Sequence, residues 1–223
     1  MTKIRFDDFE FKELCNDIFE SLLRINNTLN MDPKQLELMV SDINKIRDTI
    51  SSKIQLNVTY SIYNDIKING RTLTINDEKI SCNGFSKISP NDIKGVIIYG
   101  LSINEAKYEN LTILDQVYSD LYGTACVDAG RKLIHNMLEQ KYLLSESFGP
   151  GFYGMPVKEI DKFSNLINLN EANMFTSEYG LLPSKSVIGM YFVVNNDYKK
   201  INDSCSECIG SKEGCKLCQL NME

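Results

Sequence analysis

The chain has 223 residues, 43% of them hydrophobic, with a formal charge of -6 and a pI near 5.0. That length holds one substantial core or two small ones, and the acidic balance argues against a broad nucleic-acid footprint, which draws on clustered Lys and Arg. The opening "MTKIRFDDFEFKELC" has acidic residues where a signal peptide carries an apolar run, and no apolar stretch approaches the roughly 20 residues that span a bilayer, so the expectation is a cytoplasmic protein with neither nucleic acid nor membrane as partner.

From Asp8 to about Asn27, residues Phe11, Leu14, Cys15, Ile18, Leu22 and Ile25 recur at three- and four-residue intervals and predict a helix with one buried face. Asp32 and Pro33 supply a cap and a first helical residue for a second helix carrying Leu36, Met39, Ile43, Ile46 and Ile50. The two together predict an N-terminal helical hairpin over 1–53. The period then shortens to two in "IQLNVTYSIYNDIKINGRTLTINDEKISCNG", where Asn69-Gly70 between "DIKI" and "RTLTI" is a strong hairpin signal. A turn or short helical segment near Ser89 leads into Val96 to Ile103, which offers no polar face to water and predicts a buried strand.

Residues from about Glu109 to Gln140 predict one or two helices, with Ile113, Val117, Leu121 and Ala125 on one side. Gly123, Ala125, Ala129 and Gly130 lie within this stretch, and glycine costs about 1 kcal/mol against alanine in a helix interior. Such a helix is tolerated where another backbone comes close: tight packing against a sheet is the plainer reading, direct ligand contact the sharper one. Pro156 opens a further helix with Ile160, Phe163 and Ile167 inward, and two strand-like runs, "ANMFTSEYGLLP" and "KSVIGMYFVV", follow around Pro183-Ser184. The fold class expected is α+β, a mixed or antiparallel sheet packed by long helices.

Of the seven cysteines, Cys15, Cys82 and Cys126 stand singly, whereas Cys205, Cys208, Cys215 and Cys218 form two C-x-x-C pairs in a polar tail over 201–223. In a reducing compartment four thiolates fit tetrahedral zinc or an iron–sulfur cluster, in a structural role because no coordination position is left open; free thiols in a tail are the other reading. His135 is the only histidine, which argues against a His-rich hydrolytic metal site and against a Ser-His-Asp triad, and its spacing within the helical stretch favours an ordinary structural or surface residue over a catalytic one. No G-x-x-x-x-G-K-[ST] loop is present and no G-x-G-x-x-G follows a predicted strand, which disfavours nucleotide triphosphate and dinucleotide chemistry.

"SESFGPGFYGMP" sets three glycines and two prolines among aromatic residues. An ordinary turn accounts for that composition; so does a backbone-lined wall for a flat ligand. "SFGPGFYGMP", then a helix, then "FTSEYGLLPSKSVIGMYF", resembles the activation (reactivation) domain of vitamin B12-dependent methionine synthase, and "LDQVYSDLYGTACVDAGRKLI" resembles the small-residue helix of its short stand-alone forms, which often end in a cysteine-rich tail. The resemblance covers roughly 90–218 and rests on the order of elements. Where that family has an arginine and a tyrosine in an R-P-x-P-G-Y type motif, this chain has Ser147 and Phe152, with Gly149, Pro150 and Gly151 between. In the second motif Thr176, Tyr179, Pro183, Ser186 and Val187 keep the frame, and the acidic residue is Glu178.

What the resemblance implies is a methionine synthase activation-like domain over 54–200 that binds S-adenosylmethionine through Ser147, Gly149, Pro150, Gly151, Phe152, Tyr153, Glu178 and Tyr179. Glycines admit backbone contacts, aromatic faces take flat or cationic groups, and Glu178 neutralises an ammonium or sulfonium. The implied role is to present the methyl donor to a partner's corrinoid for reductive methylation of cob(II)alamin, with a flavodoxin-like reductant; cobalamin comes only through that partner, since no D-x-H-x-x-G motif surrounds His135. No general base is needed, so no catalytic residue is assigned. The rival reading is a zinc-stabilised protein-interaction module of the same fold that has lost the cofactor, which the departures at Ser147 and Phe152 favour, since serine cannot replace a guanidinium.

Overall fold

A computed structural model describes residues 8–26, 41, 44–45, 47–49, 51, 54–104 and 112–201. The second half of the expected helical hairpin falls mostly outside these residues, and the four tail cysteines fall wholly outside them.

The centre is a three-stranded antiparallel sheet, β1 (Leu56–Tyr63), β5 (Ile93–Ile103) and β8 (Ser186–Val194), with β5 in the middle. Residues 95 to 103 of β5 are all buried, because both faces of the sheet are covered, and that is why the strand reads as a continuous apolar run. Ile97, Tyr99 and Leu101 point to one face, and Val96 and Ile98 to the other.

On the first face lie α1 (Asp8–Asn26) and α2 (Ile113–Glu139). Phe11, Cys15 and Phe19, one helical turn apart, are buried along α1, and Phe19 meets the Tyr122 ring of α2 edge-on at 5.1 Å. Thr112 and Asp115 cap α2 reciprocally, through bonds of 2.9 and 3.2 Å. A Cβ on Gly130 would stand 2.7 Å from Leu56, so this glycine lets the helix settle onto the sheet, in agreement with the packing reading of the small-residue stretch. Cys15 and Cys126 are buried together here; the Cys15 side chain, then burial, pushes the Cys126 thiol well above its ordinary range.

The second face is covered by the small antiparallel sheet β2 (Ile66–Asn69), β3 (Thr72–Ile75) and β4 (Glu78–Ser81), by α3 (Ile160–Leu166), and by the hairpin of β6 (Phe175–Ser177) and β7 (Gly180–Leu182). The expected hairpin joins β2 to β3, with its turn one residue on from the Asn69-Gly70 signal: Asn69 pairs with Thr72, and Gly70, at φ +57°, and Arg71 make the turn. Leu73, Ile75, Ile80, Phe163, Met190 and Phe192 form the core of this side. Buried Glu159 is satisfied by the Ser81 amide at 3.1 Å and Lys162 at 2.8 Å. Helices and antiparallel sheets thus give the α+β class expected. The expected single run "ANMFTSEYGLLP" is two three-residue strands folded on each other, turning at Glu178–Tyr179.

Candidate functional site

Beside β8 the chain after α2 runs as a fourth, irregular edge strand. Leu144 bridges Val193 and Phe148 bridges Met190, so four steps on this segment match three on β8. The extra residue is a β-bulge, a device that re-aims side chains at a sheet edge. Ser145 builds it: its amide donates to the Phe192 carbonyl at 3.0 Å, its Oγ accepts the Phe192 amide at 2.9 Å, and its hydroxyl donates to the Glu146 carbonyl at 2.7 Å. The bulge lets Leu144 pack on the helical side and Phe148 on the other, and it leaves Glu146 and Ser147 between the edge and α2.

There an open cleft of about 320 Å³ is lined by Asp128, Arg131, Lys132 and His135 of α2, by Ser145, Glu146 and Ser147, and by Tyr191 and Lys200. That volume suits a small molecule. Tyr191 stacks on Tyr99 at 5.1 Å and lies 5.2 Å from the His135 ring; burial, then the neighbouring Tyr99, pushes its phenol far above the ordinary range. The Ser147 and Tyr99 hydroxyls are 2.8 Å apart. Three residues that line the cleft each carry a buried polar atom without a hydrogen-bond partner: Arg131 Nε, His135 Nδ1 and Glu146 Oε2. His135 Nε2 lies 2.9 Å from Glu139. Polar atoms held dry without a partner are costly, and three of them sit on residues around this one concavity, which makes it the candidate site among the described residues.

The glycine-rich turn is tightly folded. Gly151 donates to Met155 and Phe152 to Gly149, with Gly151, Tyr153 and Gly154 all at positive φ. A Cβ on Gly149 would stand 3.0 Å from the Ile188 carbonyl, so its close approach is to β8. Tyr153 is buried against Phe148 at 4.7 Å, and its carbonyl accepts the Gly84 amide at 2.9 Å. Phe152 is half exposed, with the Arg131 guanidinium 6.0 Å from its ring centroid. Pro150 is partly buried beside it. Glu178 and Tyr179 are exposed at the β6–β7 turn, where the Tyr179 amide donates to Ser177. Of the residues expected to bind ligand, the structure therefore places Ser147 in the cleft and Phe152 beside it, Tyr153 in the core, and Glu178 and Tyr179 on a separate hairpin.

The sequence reading passed over Asp128, Arg131, Lys132, Glu146, Tyr191 and Lys200. Positions 128, 131, 132 and 135 follow the i, i+3, i+4, i+7 pattern of one helix face, so a polar stripe inside a long, largely buried helix was the signal for four of the lining residues.

A solved structure of the MetH reactivation domain bound to AdoHcy superposes with a TM-score of 0.61, over 89% of this chain and 79% of that one, at 10% sequence identity. The fold resembles that of the MetH reactivation domain. No family model and no curated protein matches the sequence. Among the described residues no helix is long and apolar enough to cross a membrane, and no three His, Cys, Asp or Glu side chains group as metal ligands.

Proposed function

We propose that the cleft between α2 and the bulged edge strand binds S-adenosylmethionine or its demethylated product, and that the protein serves as a reactivation module for a corrinoid-dependent methyltransferase such as methionine synthase. The observation that carries this reading is the set of unpartnered polar atoms on Arg131, His135 and Glu146, beside the exposed Phe152 ring. Their chemistry fits the ligand class: an adenosyl amino acid brings a carboxylate, an ammonium and a flat base, and the cleft offers a guanidinium, a carboxylate and an aromatic face. The likeness in fold to a domain bound to AdoHcy supports the same reading.

In this scheme the bound donor supplies a methyl group. The chain's own work is positional: Ser145 holds the bulge, Ser147 anchors to Tyr99, and Arg131 and Glu146 take the charged end of the ligand. Cobalamin would come with a partner protein, and a flavodoxin-like reductant would supply the electron. The tail from 201 is proposed to hold zinc or an iron–sulfur cluster on Cys205, Cys208, Cys215 and Cys218, its two C-x-x-C pairs being a four-thiolate donor set.

Calorimetric titration of the full chain with S-adenosylmethionine and AdoHcy tests the reading. Saturable binding, weakened about tenfold by Phe152→Ala through lost aromatic contact, is the expected result. Absence of heat up to millimolar ligand overturns it and leaves the protein-interaction reading. Metal analysis with a visible spectrum tests the tail: a cluster absorbs visible light and zinc does not.

A further inference from the structure

We infer that Arg131 is the carboxylate-binding residue of the cleft, so that recognition depends on the amino-acid end of the ligand and that end is gripped from helix α2. This rests on the adenosyl-ligand reading above and deepens it.

Arg131 differs from the other cations of the cleft. Lys132 and Lys200 are exposed, whereas Arg131 is partly buried and has three neighbours. Its guanidinium lies over Phe152, it reaches the Tyr99 phenol, and one terminal nitrogen stands 3.5 Å from Asp128, one turn earlier on α2. Burial works against its charge, but the Tyr99 phenol and the Asp128 carboxylate outweigh that and hold its pKa above the ordinary value. The cation at the cleft therefore stays charged.

Its donors are under-used. A guanidinium carries five N–H groups in a planar fork. The Asp128 contact is at the limit of hydrogen-bond length, and Nε is buried with no partner. A planar carboxylate is the natural complement, because it accepts two parallel N–H bonds from such a fork. Ser147 brings no charge to this wall, and its hydroxyl is already engaged by Tyr99.

The same cleft holds the matching acceptor. Glu146 Oε1 is taken by the Tyr198 hydroxyl at 2.9 Å and the Ile201 amide at 3.1 Å, while Oε2 is buried and unpartnered. A guanidinium whose Nε is unpartnered and a carboxylate whose Oε2 is unpartnered, on two residues that line one concavity, complement a zwitterion: carboxylate to Arg131, ammonium to Glu146. An inorganic anion would satisfy the first and leave the second bare.

The test is calorimetric titration of the full chain with AdoHcy and with its decarboxylated analogue, S-adenosyl-3-thiopropylamine, which keeps the amine and loses the carboxylate. The wild type is expected to prefer AdoHcy by about 10- to 100-fold, the range for a charge-assisted hydrogen-bonded pair. Arg131→Gln is expected to erase that preference, leaving the analogue's affinity within about twofold; Arg131→Lys, which keeps the charge without the fork and guards against a folding defect in the first variant, is expected to restore only part of it. If the wild type binds both ligands equally, or if Arg131→Gln weakens both alike or neither, Arg131 does not hold the carboxylate, while the adenosyl reading stands. A wild type that binds neither ligand overturns both.

Discussion

The Tyr198 hydroxyl donates to Glu146 Oε1 at 2.9 Å, and the Ile201 amide donates to the same oxygen at 3.1 Å. A carboxylate on the bulge thereby fastens the chain that leaves β8, and the Tyr153 hydroxyl adds a bond to the Ile201 carbonyl at 3.3 Å. The strap so formed carries Lys200 to the cleft. Hydrogen bonds to a charged acceptor contribute about 1.5–3 kcal/mol when buried, and the partial exposure of this pair lowers that figure. Tyr198→Phe is therefore expected to cost about 1 kcal/mol, read as a lower urea midpoint at unchanged slope. A shift of only a few tenths would mean that the strap is not held by this bond.

Ser145→Ala tests the bulge. The substitution fits the space but leaves the Phe192 amide without its acceptor inside the sheet, at a cost of about 1–3 kcal/mol. Hydrogen exchange at that amide should accelerate more than at its β8 neighbours. Because Glu146 and Ser147 follow directly, AdoHcy binding should also weaken; a destabilised variant with unchanged affinity would separate the bulge from the site.

The contrast between Ser145 and Asn69-Gly70 shows what the sequence could disclose. A two-residue turn is encoded locally, and so are the α1 stripe and the doubly covered β5, each legible as period or as unbroken apolar run. The bulge is a count of four residues against three on a strand some 45 positions away, and nothing near Ser145 announces it. Short strands escape for a different reason: β6 and β7 have three residues each, too few for a period. The glycines and aromatics of the turn are legible locally, and in the structure Gly149 lies close to β8 and Tyr153 is buried. Four of the residues that line the cleft lie on the polar face of α2, visible in the sequence as a stripe but joined to a cleft only once the edge strand is seen beside it.

Two glycines near the cleft should fail in different ways. A Cβ on Gly189 would stand 2.9 Å from the Phe148 carbonyl and 2.8 Å from the Tyr99 hydroxyl, so Gly189→Ala must push apart the edge strand and β5's tyrosine. Overpacking of that kind costs about 1–3 kcal/mol. A Cβ on Gly151 would meet nothing within 4 Å, and only its φ of +91° opposes a side chain, for about 1–3 kcal/mol. Combining each with Tyr99→Phe distinguishes the causes by thermal melting: removing the hydroxyl should recover part of the Gly189→Ala loss and none of the Gly151→Ala loss.

Alkaline pH should unfold the protein through its buried phenols. Burial, reinforced by neighbouring groups, raises Tyr122, Tyr191 and Tyr198 well above the ordinary value near 10, with Cys126 next to Tyr122, Tyr99 next to Tyr191 and Glu146 next to Tyr198 as the second cause in each case. The folded pKa being the higher, the unfolded chain gives up these protons first. The stability they contribute is complete below the unfolded value and is lost as pH rises from there towards the folded values, at up to about 1.4 kcal/mol per group per pH unit. Between pH 7 and 9 these groups should leave the urea midpoint flat; above about pH 10 it should fall steeply. Absorbance of the phenolates, followed across the same range, should show the three tyrosines titrating together with unfolding instead of before it. A smooth titration of all 11 tyrosines in a chain that stays folded would contradict the burial of Tyr191 against Tyr99 on which the cleft wall depends.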